Sequence, residues 1–311
     1  MIKLFFAAAL LINCGLLLAQ GNGSSAGVSV QMIVTVEALH GKDVPMLNRE
    51  DVVVHQGQNR LHVTDWVPVQ GEHAGVDLFV LVDEACGTRL GSYLDDLRQF
   101  INSQPATTRI GIGYTSNRVD IRQSLTADHA QAAKALRIPM EIIGGSPYVS
   151  LSDLIKQWPA DNKTREVLIV SDGNDPLGGW GLSSPYVDAA IENAQRAGIV
   201  VYSIYFPAVG HSGHSPWRMF QGQNYLAKLS EETGGESYNL STAPPVSFAP
   251  YTENMAERLT HQYRVTFLAK AWPKAGFQSV KLTTEVPNAE LVAATKIYVP
   301  GAQSQAPGTS K

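Results

Sequence analysis

Three stretches of the chain are apolar runs with no polar face. Val76 to Val82 reads VDLFVLV, Glu166 to Val170 reads EVLIV, and Ile199 to Phe206 reads IVVYSIYF. Runs of this kind mark strands buried on both faces, a state reached in parallel sheets covered by helices. Helical patterns lie between them. Leu90, Leu94, Leu97, Phe100 and Ile101 recur at helical spacing over 90–103. Further helices are expected over 127–136, 152–158, 186–196, 224–232 and 248–261, with Pro159, Gly198 and Gly234-Gly235 as stops. Arg109 to Tyr114 is a short strand. Strands that alternate with helices predict an α/β fold with a doubly wound, Rossmann-like sheet.

The flanks follow a different rule. Val28 to Leu39 alternates and is rich in β-branched residues, and Asp51 to His55 and Arg60 to Val69 are further strands. After Tyr263 the chain again reads as strands: YRVTFLAK, QSVKLTTEV and TKIYV. About three strands before the α/β region and three to four after it are each too few to hide a core. Together they would make one Ig-like β-sandwich, with residues 21–74 and 262–300 as its halves and the α/β region 75–261 inserted or flanked. Two separate β appendages are the alternative. Residues 301–311 are rich in Gly, Ser, Gln and Pro and are expected to be disordered.

Residues 1–19 have a single Lys3, an apolar run from Leu4 to Ile12 and a small residue at Ala19. That is a secretory signal pattern with cleavage after Ala19, so the protein is expected to be exported, periplasmic or extracellular. A retained anchor and lipid attachment at Cys14 are the alternatives; either would be the one route to a membrane. Cleavage would leave Cys86 as the single cysteine, with no internal disulfide.

Composition narrows the chemistry. A charged fraction of 17% with 44% hydrophobic residues excludes a disordered chain. A net charge of −4 gives no reason to expect nucleic acid. No G-x-G-x-x-G follows the first buried strand, no G-x-x-x-x-G-K-[ST] occurs, and no buried strand runs into a G-x-S-x-G elbow, so no small-molecule cofactor is expected. Sites in open α/β sheets lie beyond the carboxyl ends of the strands. That points to Asp83-Glu84-Ala85-Cys86-Gly87-Thr88 and to Ser171-Asp172-Gly173-Asn174-Asp175.

Val80-Leu81-Val82-Asp83, Val167 to Gly173 and Leu226 to Gly235 resemble a von Willebrand factor A domain, and Leu125 to Asp128 fits the same order. Leu47 to Val54 and the other flanking segments are similar to the bacterial, exported VWFA-related group. The resemblance implies a metal-ion-dependent adhesion site, where Mg²⁺ is held by a D-x-S-x-S loop, a Thr and a later Asp. Asp83 and Asp172 match the two Asp. Ala85 and Gly87 stand where the serines belong, and either Ser146 or Ser150 takes the place of the Thr. The site is therefore expected to be degenerate, with Mg²⁺ bound weakly if at all.

The expected function is a non-enzymatic, adhesion-type module for a protein partner. Glu84, Cys86, Tyr148, Asp175 and Trp180 are the expected loop contacts. The alternatives are an envelope assembly scaffold, in which the β region makes the contact, and a metal-assisted hydrolase using Asp83, Glu84, Asp172 and Asp175. His211 and His214 read as a solvated loop, and Trp158 and Trp217 as packing residues.

Overall fold

The computed structural model describes residues 27–301 apart from 71–74, 117, 143, 160, 162, 180, 182, 208–214, 239, 240 and 242. The expected signal segment with Cys14, the residues Trp180, His211 and His214, and the tail from 302 lie outside the described residues.

The chain opens with β1 (Val28–Ala38), β2 (Val53–Gln56) and β3 (Asn59–Pro68). The α/β region follows with β4 (Val76–Asp83), α1 (Leu94–Ser103), β5 (Arg109–Thr115), β6 (Val119–Thr126) and α2 (His129–Lys134). It continues through α3 (Pro147–Gln157), β7 (Thr164–Ser171), α4 (Pro185–Ala197), β8 (Ile199–Tyr205), α5 (Pro216–Thr233), β9 (Ser237–Tyr238) and α6 (Ala249–Thr260). The chain closes with β10 (Gln262–Ala269), β11 (Gly276–Thr283), β12 (Ala289–Ala293) and β13 (Lys296–Val299).

The six-stranded sheet has the order β6-β5-β4-β7-β8-β9. All neighbours are parallel except the β5–β6 edge pair. Every residue of β4 is buried. Its side chains alternate between two cores. Leu78, Val80 and Val82 pack with Leu97, Ile101, Phe248 and Met255 from α1 and the α6 end. Phe79 and Leu81 pack with Leu151, Ile191 and Leu226 from α3, α4 and α5. This is the doubly wound sheet that the apolar runs predicted.

The flanks depart from the expected Ig-like sandwich. Their seven strands form one hydrogen-bonded sheet in the order β12-β1-β10-β3-β2-β11-β13. Strand β10 lies between β1 and β3, with Val30 opposite Phe267 and Val265 opposite Trp66. N- and C-terminal segments therefore interleave. The sheet is continuous because β3 is long enough to serve two neighbours: Asn59 to Leu61 face β2, and His62 to Pro68 face β10. Its apolar side is covered by curling, since Val34, Val54, Phe267, Leu282 and Val299 share one core.

Several boundaries differ from the periodicity. Helix α3 begins at Pro147 and α5 at Pro216, not at 152 and 224. In both, proline occupies the first turn, where its missing N–H costs nothing. The β6 edge strand carries Asp120, Arg122, Gln123 and Ser124, so no apolar run marked it. Among the described residues no helix is long and apolar enough to cross a membrane.

The interleaving has a direct consequence. A chain ended at His261 loses the strand between β1 and β3. Limited proteolysis is expected to cleave it within 28–68 while 76–260 stays protected. Equal protection of both segments would contradict the interleaved sheet.

Candidate functional site

Strands β5 and β7 leave β4 on opposite sides, so the sheet order reverses beside the carboxyl end of β4. Asp83 sits at that end and is buried. Its Oδ1 accepts hydrogen bonds from Thr115 Oγ1 of β5 at 2.7 Å and from the Ala85 amide at 3.0 Å. Its Oδ2 accepts from Ser171 Oγ of β7. Ser171 Oγ in turn accepts from the Gly173 amide at 2.9 Å. Three strand ends are thus tied through one carboxylate. The sequence reading found Asp83 but not Thr115, whose place at a strand end has no periodic signal.

The loop after Asp83 is wound into two short 3-10 turns, Glu84–Cys86 and Thr88–Tyr93, with Gly87 between them at φ 65° and ψ −168°. That conformation favours glycine. The absent serine at this position is therefore tied to the path of the loop and not to side-chain chemistry alone.

The other residues singled out in the sequence are turned inward. Glu84 is 2% exposed and its carboxylate takes both terminal nitrogens of Arg137 and the Met140 amide at 2.5 Å. Arg137 also lies over the Tyr114 ring, 3.9 Å from its centre. Asp172 accepts from the Asn174 amide at 2.9 Å and from Asn174 Nδ2 at 2.8 Å. Ser146 caps α3 by accepting from the Val149 amide at 3.3 Å. Ser150 lies inside α3 and donates to the Ser116 carbonyl at 3.0 Å. Tyr148 is fully buried and donates to the Gly173 carbonyl at 2.8 Å. Asp175 is buried and accepts from Ser184 Oγ, the cap of α4. Cys86 is packed in the core beneath the loop. As direct partner contacts, Glu84, Cys86, Tyr148 and Asp175 are thus corrected: each is sealed from solvent by its own interactions. Trp180 lies outside the described residues.

Gly173 and Gly222 explain how the Asp172 loop is seated. A Cβ on Gly222 would stand 2.0 Å from the Asp172 carbonyl oxygen, and one on Gly173 would stand 2.2 Å from the Gly222 carbonyl oxygen. Only two glycines allow α5 to approach this close.

Mg²⁺ requires a near-octahedral shell of oxygens. The residues present do not fit that demand. Each oxygen of Asp83 and of Asp172 already accepts a hydrogen bond, and the hydroxyls of Ser146 and Ser150 are engaged by backbone. Among the described residues no group of three or more His, Cys, Asp or Glu could hold a metal ion. The four carboxylates of the hydrolase reading likewise each have a separate internal partner.

Burial, and then the charge of Asp83, push the Asp172 carboxyl up to about 7. Burial also raises Asp83, against its three hydrogen bonds. Burial and the charges of Asp83 and Asp172 raise the Cys86 thiol well above its ordinary value, the opposite of an activated thiolate.

Much of what reaches solvent at this end is apolar, beside exposed Thr88, Arg89 and Glu141. Ile138, Met140 and Ile142 stand out from the loop that Glu84 and Arg137 pin down, and Leu177 from the loop after β7. Trp217 and Phe220 stand out from the first turns of α5, at 49% and 58% exposure. Trp217, expected as a packing residue, is thus half exposed.

Solved structures similar to this chain include a von Willebrand factor type A protein from Catenulispora acidiphila, at 9% identity and TM-score 0.41, covering 90% of this chain and 75% of that one. The vWF domain of the type V pili tip protein Mfa5 from Porphyromonas gingivalis matches at 12% identity and TM-score 0.42, covering 62% and 95%. BatB from Bacteroides thetaiotaomicron matches at 14% identity and TM-score 0.43, covering 60% and 98%. The likeness is to von Willebrand factor type A folds. No family model and no curated protein matches the chain.

The raised Asp172 carboxyl fixes a pH dependence. The native state holds a proton that the unfolded chain has released between the ordinary value of 3.8 and about 7. Stability therefore falls as pH rises through that window and levels off above it. Thermal melts of Asp172→Asn are expected to lose much of this slope, and Asp83→Asn should move its upper end to lower pH. An unchanged slope in both variants would contradict the assignment.

Proposed function

We propose that this chain is an exported bacterial protein-binding module of the von Willebrand factor A type whose partner docks on apolar loops, without a bridging metal. The observation that carries the reading is the contrast at the carboxyl end of the sheet. The carboxylates that would recruit a metal are consumed internally, while Ile138, Met140, Ile142, Leu177, Trp217 and Phe220 project outward around them. Exposed apolar side chains carried on rigid loops are suited to anchoring in pockets of a partner. The clasp of Glu84, Arg137 and Tyr114 presets the 138–142 loop, which lowers the ordering cost of binding. Export rests on the pattern in residues 1–19, and a mature N-terminus at Gln20 in the exported fraction would agree with it.

The test is a crosslinking pull-down from the envelope fraction, quantified across variants. Met140→Ser and Phe220→Ser are expected each to weaken capture about tenfold, equivalent to about 1.4 kcal/mol, with unchanged melting temperature. Trp272 is exposed between β10 and β11, and loss of capture in Trp272→Ser, with Met140→Ser and Phe220→Ser intact, would move the contact to the β sheet and favour an assembly scaffold. For the metal, calorimetric titration of Mg²⁺ or Mn²⁺ is expected to show no site tighter than about 1 mM. A tighter site abolished by Asp83→Ala would overturn that part.

A further inference from the structure

The opposite end of the α/β sheet has a different character. Asp77, the second residue of β4, is fully buried and lies in register with Arg109 on β5 and Arg165 on β7. Arg109 donates to Asp77 through Nε at 2.7 Å and Nη2 at 2.5 Å, and the same Nη2 reaches Asp161 Oδ2 at 2.5 Å. The second oxygen of Asp161 accepts from the Lys163 amide at 3.2 Å. Both carboxylates are therefore held before any ligand arrives.

Beside them a cavity of about 350 Å³ opens between the start of β7, the Ala197-Gly198 turn and strands β1 and β10. Lys163, Arg165 and Arg264 line it, against the single carboxylate of Asp161. Arg165 Nη2 donates to the Asp161 carbonyl at 3.2 Å, and Arg264 Nη2 to Thr164 Oγ1 at 3.3 Å. All three cations are half-buried. Gln31 adds a neutral donor at the rim, and Gly198 leaves space where a Cβ would meet nothing. This is a local reversal in a chain of net charge −4.

We infer that this cavity binds a phosphate group, as the free dianion or as a monoester. Guanidinium forks match phosphate oxygens in pairs, and a lysine adds a point charge. Three cations on a concave, partly desolvated wall favour a dianion over a monocarboxylate. Ile33 on the β1 side offers an apolar contact to the carbon of an ester. Because β1 and β10 close one side, an occupant touches both the α/β region and the seven-stranded sheet. The inference is independent of the docking surface at the other end.

Calorimetric titration of inorganic phosphate and of glycerol phosphate into the full chain, at constant ionic strength, tests it. One saturable site with Kd on the order of 0.1–1 mM is expected, together with a rise in melting temperature as phosphate increases. Lys163→Gln and Arg165→Gln should each weaken binding about tenfold, and Lys163→Arg should retain it. A monoester tighter than phosphate would identify a phosphorylated larger molecule, and equal affinities the free ion; both support the site. No saturable heat, or equal binding in Lys163→Gln and Arg165→Gln, overturns it. A lowered melting temperature in Lys163→Gln without loss of phosphate binding also overturns it, since the lysine would then serve only the fold.

Discussion

Strand β4 is eight residues long with no residue open to water, and it carries a carboxylate at each end. The rest of the α/β region is arranged around that constraint. A buried carboxylate must be paired or satisfied by donors. Asp77 is answered by charge, through two nitrogens of Arg109. Asp83 is answered by two hydroxyls and an amide, with no ion pair among the described residues. The two solutions give the two ends of the sheet opposite characters: cationic around Asp77, and apolar around Asp83. At the Asp83 end, burial raises both Asp83 and Asp172, and the charge of Asp83 adds to the rise at Asp172.

The same contrast explains why the loops at the carboxyl end project apolar residues. The carboxylates of Asp83, Glu84 and Asp172 all accept hydrogen bonds from inside the protein, so this polar network is turned inward. Glu84 belongs to this network, and by holding Arg137 and the Met140 amide it fixes the base of the 138–142 loop. The apolar side chains are then displayed from a rigid frame. In a chain with two glycines at the α5 contact and one at Gly87, the backbone path has little freedom to turn the buried oxygens outward.

Much of this architecture was legible in the sequence, and the failures have physical causes. Buried parallel strands announce themselves because both faces must be apolar, so β4, β7 and β8 stood out. The β6 edge did not, since one of its faces meets water and alternation is broken by a bulge. Asp83 and Asp172 could be placed at strand ends by the fold rule alone. Thr115 could not, since it lies 32 residues from Asp83 and a hydroxyl residue at a strand end carries no period; Ser171 was placed with Asp172, but its bond to Asp83, 88 residues away, was not legible. Glu84 looked like a surface contact because its partner, Arg137, is 53 residues away. The flanking strands were counted correctly, but a continuous curled sheet and a two-sheet sandwich share the same alternation.

The seam between the two sheets follows from the same accounting of buried charge. Arg258 of α6 is 7% exposed and reaches Glu37 of β1 at 2.6 Å and Glu236 at 3.4 Å. Those pairs tie the α/β region to the first strand of the other sheet. Glu166 of β7 is fully buried, and burial pushes its carboxyl well above the usual range. A second charge there would compete for Arg258 and weaken its hold on Glu37. Gln262, the first residue of β10, is buried beside this group and donates to the Tyr202 hydroxyl at 3.2 Å. The Arg258–Glu37 pair and the Gln262–Tyr202 hydrogen bond therefore link β1 and β10 to the α/β region. Those links allow Arg264 and Gln31, from one sheet, to share a cavity wall with Lys163 and Arg165, from the other.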